Sequence, residues 1–200
     1  MSFSTFNLNP ALLRAVGDKG FEHPTPIQRL AIPPLLEGRD ILAAAVTGSG
    51  KTAAFLLPIL QALLSEPRGK TRALILVPTR ELAMQIADHL KDLARHTSIR
   101  GAAVYGGVSP APQLQAFRRK VDLIIATPGR LLDHLRNQAV RFQDIRYLVL
   151  DEADRMLDMG FIDDVRRIVS KTPVSRQTLF FSATMSADIR RLAADMLKNP

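Results

Sequence analysis

Two groups of residues, about a hundred positions apart, carry side chains that together could do phosphate chemistry. The first is Ala45-Val46-Thr47-Gly48-Ser49-Gly50-Lys51-Thr52, set between the apolar runs Ile41–Ala44 and Ala53–Leu57. That order reads as strand, glycine-bearing loop and helix, which is the context a phosphate-binding P-loop requires. Gly48 and Gly50 let the backbone curl so that consecutive N–H groups point at phosphate oxygens, and the start of the helix adds its positive end. Lys51 is expected to reach the β- and γ-phosphates, and the Thr52 hydroxyl to be a ligand of Mg²⁺. Ala45 stands where the commonest form of the motif has a glycine, so the match is to the relaxed pattern. An ordinary Gly-rich turn is the plain alternative, and the lysine argues against it. The second group, Asp151-Glu152, closes the apolar run Tyr147–Leu150. An aspartate there is a hard carboxylate placed to hold Mg²⁺, directly or through water. Glu152 beside it can take a proton from the water that attacks the γ-phosphate. Adjacent acids after a strand are otherwise often helix N-terminal acids favoured by the dipole. The P-loop upstream, in the same alternating pattern, favours the catalytic reading.

These residues need elements to bring them together. Apolar runs at 73–77, 101–105, 121–126, 147–150 and 178–181 alternate with helical stretches, and nearly every run ends in a polar, Gly or Pro cluster. Short, fully apolar runs are the pattern of strands buried on both faces. The sequence therefore predicts one α/β domain over residues 1–200, with a mostly parallel central sheet and helices on both faces. Right-handed crossovers would put all the polar clusters on one edge, where open sheets of this kind bind ligand. Upstream, Asn9-Pro10 opens a short helix that Gly17 and Gly20 end, and Thr25 caps a helix starting at Pro26. Ile27, Leu30, Ala31 and Leu35 make the apolar stripe of that helix. Gln28 falls in its first turn, where a carboxamide could read an adenine N6/N7 edge. His23 reads as a loop residue without metal-binding neighbours.

Composition bounds the rest. The chain has 200 residues, no cysteine and a formal net charge of +8. Disulfides and cysteine-ligated zinc are thereby excluded, and a reducing cytosol is the expected compartment. No stretch is apolar for long enough to span a membrane as a helix. The charge is compatible with a polyanionic partner and also with a merely solvated basic surface.

Asp151-Glu152-Ala153-Asp154 is the tetrapeptide that names the DEAD-box RNA helicases, and the other clusters resemble that family's N-terminal motifs in order. Phe21 and Pro24–Gln28, with Thr25 and Gln28 in adenine-facing positions, resemble its Q motif. The resemblance gives Phe3 the aromatic that stacks on adenine, with Phe6 as the fallback. Thr47 to Thr52, including Ser49, fall in its nucleotide-binding motif I. Pro78, Thr79 and Arg80, then Gly106 and Gly107, then Thr127, Pro128, Gly129 and Arg130 resemble segments that grip the RNA backbone. Ser182 and Thr184, with Asp154, resemble the link between the nucleotide and RNA sites. The resemblance implies a RecA-like P-loop domain, ATP and Mg²⁺ as cofactors, RNA bound without base specificity, and a second RecA-like domain in cis. A compact, cysteine-free chain without long insertions is similar to the bacterial RhlE-type branch. Arg80 and Arg130 are candidates for phosphate contact or loop bracing. Arg118-Arg119-Lys120, Arg166-Arg167 and Arg190-Arg191 read as solvated helix faces, with Asp163 a partner for Arg167.

The second domain, with the arginines that complete the γ-phosphate site, is not in this chain. The 200 residues alone are expected to be monomeric, to bind adenine nucleotide weakly, to hydrolyse it very slowly and not to unwind RNA. Three readings stay open: an RNA-dependent ATPase that unwinds short duplexes, an ATP-gated RNA clamp, and an unrelated P-loop ATPase or DNA translocase. Gln28 speaks against the third.

Overall fold

A computed structural model describes residues 2–200. Six strands form one sheet: β1 (Ile41–Ala44), β2 (Ala73–Leu76), β3 (Gly101–Val104), β4 (Leu123–Ala126), β5 (Tyr147–Leu150) and β6 (Gln177–Ser182). Their order is β1-β6-β5-β2-β4-β3, and every pairing is parallel. β2 and β4 are buried at all four positions, as expected of apolar strands covered on both faces. One core layer holds Phe55, Ile75, Ile125 and Phe181; the other holds Leu74, Ile124, Leu148 and Phe180. Alternate residues of the same strands thus feed opposite layers, so a one-residue register slip would exchange them.

The helices that matter for the site each begin where a strand ends. α3 (Lys51–Leu64) follows β1, α4 (Arg80–Leu93) follows β2, α6 (Pro128–Arg136) follows β4 and α7 (Ala153–Asp158) follows β5. α5 (Ala111–Arg118) and α8 (Ile162–Val169) complete the crossovers, and α9 (Ala187–Met196) follows β6. α1 (Pro10–Asp18) and α2 (Pro26–Leu36) precede the sheet, after a short 3₁₀ turn at Phe3–Phe6. α3 buries ten of its fourteen residues, because α2 and α4 flank it above the sheet.

Three details differ from the sequence-based expectation. In α2 the buried stripe is Gln28, Ala31, Ile32 and Leu35, and Leu30 is 75% exposed. The i, i+3, i+4, i+7 spacing is intact but set one position away from Leu30. β4 starts at Leu123 rather than Val121, and the Asp122 carboxylate just before it accepts from Arg68 and from the Arg100 N–H. Arg167 meets Asp164, at 3.8 Å, rather than Asp163.

Candidate active site

All six strands deliver their C-terminal ends to one rim, so the clusters after β1, β2, β3, β4, β5 and β6 share it. The P-loop spans Ala45 to Gly50, and the Ala45 N–H donates to the Ser182 carbonyl at 3.0 Å, tying its start to the end of β6. Gly48 and Gly50 adopt φ of +83° and +92°, a region that side-chain-bearing residues rarely enter. At Gly50 a Cβ would lie 2.7 Å from Gln28 Nε2 and 2.8 Å from Thr25 Oγ1. Glycine is therefore required there by backbone angle and by space.

Lys51, the first residue of α3, is buried, and its Nζ lies 2.9 Å from Asp151 Oδ1 and 3.7 Å from Glu152 Oε1. Asp151 is fully buried at the end of β5. Burial pushes its carboxyl pKa up, and the Lys51 ammonium opposes that rise. Asp151 Oδ2 is buried without a hydrogen-bond partner. Such an atom costs free energy unless a cation or water completes it. Together with the Thr52 hydroxyl it offers hard oxygen donors of the kind a small divalent cation takes alongside phosphate and water. Among the described residues no cluster of three or more His, Cys, Asp or Glu could hold a metal without such help.

Glu152 stands at φ +54°, ψ +51° at the start of α7, an uncommon angle for a residue with a side chain. Thr47 Oγ1 donates to its Oε1 at 3.2 Å, and Arg155 lies 3.4 Å from its Oε2. The carboxylate is thus held over the P-loop from both sides, in position to accept a proton near a bound terminal phosphate.

Gln28 bridges two motifs. Its Oε1 accepts from the Thr25 N–H at 3.0 Å and its Nε2 donates to the Gly50 carbonyl at 3.0 Å. One N–H and one acceptor lone pair remain on the fixed carboxamide. Gln28, Thr25 and Phe21 line a cleft of about 700 Å³ with Gly48, Gly50, Lys51 and Thr52, closed on the far side by Gln85, Ile86 and His89 of α4. The sequence had not singled out these α4 residues; their only signal is a helix that starts at the rim. His89 Nδ1 is buried without a partner, and burial, with Lys19 nearby, lowers its pKa. Phe3 and Phe6 are both buried. Phe3 stacks on Phe21 at 6.4 Å between ring centroids, so it stands behind Phe21 and off the cleft wall.

Ser182, Asp154 and Thr184 meet across the ends of β6 and α7. The Asp154 N–H donates to Ser182 Oγ at 3.3 Å, and Asp154 Oδ2 accepts from the Thr184 N–H at 3.0 Å and its hydroxyl at 3.1 Å. Burial alone would raise the Asp154 pKa, but the bonds from Thr184, Arg155 and Ala183 outweigh it and hold the carboxyl low. Ser182 sits beside Ala44 in the sheet, so one buried serine joins the strand entering the P-loop, through its backbone, to the segment after Glu152, through its hydroxyl.

Further along the rim, Thr79 caps α4 by accepting from the Leu82 N–H at 3.3 Å, one residue after Pro78. Arg80 lies over the Tyr105 ring, 5.7 Å from its centroid, and Gly107 turns at φ +78° beside it. Thr127 and Pro128 open α6, and a Cβ at Gly106 or Gly129 would meet nothing within 4 Å. Arg130 donates to the Val108 carbonyl at 3.0 Å and lies 3.4 Å from Gln113 Oε1. Gln113 Nε2 donates to the Tyr105 carbonyl at 2.9 Å, and His134 Nε2 lies 2.8 Å from Gln113 Oε1. Because the amide nitrogen already donates, Oε1 is the acceptor and His134 carries its proton on Nε2. Arg130 thus braces the 106–108 loop with Gln113 and His134, two residues the sequence did not mark because their partners are distant in the chain.

Comparison with known proteins agrees with this geometry. A profile described as DEAD/DEAH box helicase matches residues 25–192. The ATP-dependent RNA helicase SrmB of Escherichia coli is 49% identical over the whole chain, which spans 46% of that protein. The DEAD-box ATP-dependent RNA helicase RhpA of Helicobacter pylori is 47% identical, and the chain spans 40% of it. The crystal structure of a DEAD box protein from Methanococcus jannaschii superposes with a TM-score of 0.94 at 40% identity, covering all of this chain and 54% of that one. The chain therefore spans about half or less of these relatives. The fold is the RecA-like domain that the motif order implied, with a sheet that is wholly parallel. Profile, relatives and rim geometry converge, and the chain belongs to the DEAD/DEAH box helicase family.

Proposed function

We propose that this chain is the ATP-binding, N-terminal half of an RNA helicase, acting with a second RecA-like domain in cis on RNA held by its backbone. The observation that carries the proposal is the Lys51–Asp151–Glu152 cluster, whose Lys51 and Glu152 line one cleft together with Gln28. In this reading the Gly48–Thr52 backbone N–H groups and Lys51 bind the triphosphate, and Thr52 and Asp151 would hold Mg²⁺. Mg²⁺ when bound neutralises charge on the phosphates. Gln28, fixed by Thr25 and Gly50, presents its remaining donor and acceptor to adenine. Phe21 lines the adenine end, with Phe3 backing it. Glu152 accepts a proton from the attacking water as the new P–O bond forms and the bond to the β-phosphate oxygen breaks.

RNA phosphates and 2′-hydroxyls would run along Pro78–Arg80, Gly106-Gly107 and Thr127–Arg130, where open glycines admit a close backbone. Asp154, Ser182 and Thr184 would pass the state of the nucleotide to that path. The relatives' names support ATP and RNA as ligands. The RhlE-type branch and a cytosolic setting remain part of the proposal, supported by the compact, cysteine-free sequence.

The test is Glu152→Gln in the protein extended through its second domain. RNA-stimulated ATP hydrolysis and duplex unwinding should fall by about 10²-fold or more, with nucleotide binding retained. Hydrolysis unchanged in that variant, or an extended protein that prefers GTP, would contradict the assignment.

A further inference from the structure

At the rim Lys51 and Arg155 are paired with Asp151 and Glu152, which leaves Arg80 and Arg130 of the cations described there, too few to account for the net charge of +8. The excess is conspicuous at the opposite edge of the sheet. Lys70, Lys120 and Arg141 lie in the segments that lead into β2, β4 and β5. Arg136 ends α6, Arg167 lies in the last turn of α8, and Lys171 follows it. These six cations surround two concavities of about 440 and 600 Å³ that share Gln138, Val140, Arg141 and Gln143 and so form one groove. Asp144 is the one acid on its described walls.

Three of the cations have acid partners: Lys70 with Asp144 at 2.7 Å, Arg136 with Asp133 at 3.9 Å and Arg167 with Asp164 at 3.8 Å. The last two are loose, exposed pairs of the kind that contribute little. Lys120, Arg141 and Lys171 are exposed, and none has an acid within 4.0 Å among the described residues. Like charges gathered around a concavity raise the local concentration of a polyanion.

From this we infer that the groove is a second RNA site, sequence-independent and separate from the rim. It holds the phosphate backbone of single-stranded RNA. A partner protein fits less well. Leu132, Val140 and Phe142 at the base of the groove are buried, and the half-buried Leu135 and Ala139 lie in different concavities, so its apolar surface is divided and holds no exposed aromatic anchor of the kind protein hot spots use. The exposed groups around it are the six cations and the carboxamides of Gln138 and Gln143, and these suit phosphate and 2′-hydroxyl. The inference does not depend on the rim's role, and it requires neither ATP nor a second domain.

The test measures binding of a fluorescent single-stranded RNA of about 20 nucleotides to the 200-residue chain without nucleotide. Three phosphate contacts predict that affinity falls about 20-fold between about 50 and 200 mM salt. Lys120→Glu with Arg141→Glu and Lys171→Glu should weaken binding at least about tenfold and remove most of that salt dependence. Adenine-nucleotide binding should be unchanged in the triple variant, so failure here is distinct from failure of the rim assignment. Ultraviolet cross-linking of the unaltered chain gives a second readout, with adducts expected at residues 136–144 and 167–171. Unchanged RNA affinity in the triple variant, or adducts confined to the rim, would overturn the inference. So would loss of poly-glutamate binding in the triple variant with RNA binding intact, which would assign the groove to an acidic protein.

Discussion

Replacing Lys51 with methionine should cost the protein stability, apart from any effect on nucleotide binding. Lys51 and Asp151 are both buried, and their contact at 2.9 Å is the main neutraliser of a carboxylate that has no exposure at all. Asp151 Oδ2 already lacks a partner, so losing Lys51 leaves the group with only the Glu152 N–H, at 2.9 Å on Oδ1. Removing one member of a buried ion pair typically costs about 3–5 kcal/mol. In a chain of this size that is a drop in melting temperature of about 6–20 °C. The loss should also depend on pH in a stated direction. Burial raises the Asp151 pKa above 3.8, and Lys51 is the strongest opposing influence, so the variant's Asp151 is raised further. The folded variant then keeps a proton that the unfolded chain releases above about pH 4, and its stability falls as pH rises. Differential scanning calorimetry from about pH 5 to 8 should show the gap between parent and variant widening. Adding Asp151→Asn should recover most of it, because the buried charge is gone. A Lys51→Met chain that melts within about 2 °C of the parent at pH 7, or whose deficit ignores pH, would refute the buried-pair reasoning.

Two further perturbations test neighbouring parts. Gly50→Ala puts a Cβ against Gln28 and Thr25 at φ +92°, so it should cost at least about 1–2 kcal/mol and weaken adenine-nucleotide affinity, read by melting and calorimetry. His134 has its pKa lowered by burial, with Arg130 adding to the effect, so its folded value lies below 6.5. The unfolded chain therefore binds its proton first, and stability present above about pH 6.5 is lost as pH falls through the folded value. His89 shifts the same way, so His134→Gln should flatten part of that acid-side slope while the rest remains.

What could be read from the sequence was what adjacent residues carry. Thr47–Thr52 and Asp151–Asp154 announce themselves because the loop or strand end and its chemistry lie within a few positions of one another. Strand positions followed from apolar runs, and their shared rim from the handedness of crossovers. Contacts between distant segments were not legible. Nothing in the sequence says that the Gln28 carboxamide is tied to Gly50, that Gln113 receives His134 beside Arg130, or that Ser182 receives Asp154. The family resemblance assigned Phe3 to adenine but could not show that its ring stacks on Phe21. In α2, periodicity identified a stripe but a neighbouring leucine displaced its assigned face, because Leu30 and Ala31 are equally apolar in a pattern count. Glu152's left-handed backbone is set by the strand-to-helix turn and leaves no compositional trace.

The most direct measurement is a backbone amide NMR titration of the chain with Mg²⁺ and a non-hydrolysable ATP analogue, run beside the GTP analogue. Shifts should concentrate at Thr25–Gln28, Thr47–Thr52 and Asp151–Asp154 and saturate at lower concentration with adenine. Shifts that fall outside these segments, or equal responses to the two bases, would contradict a single adenine-nucleotide site at the rim.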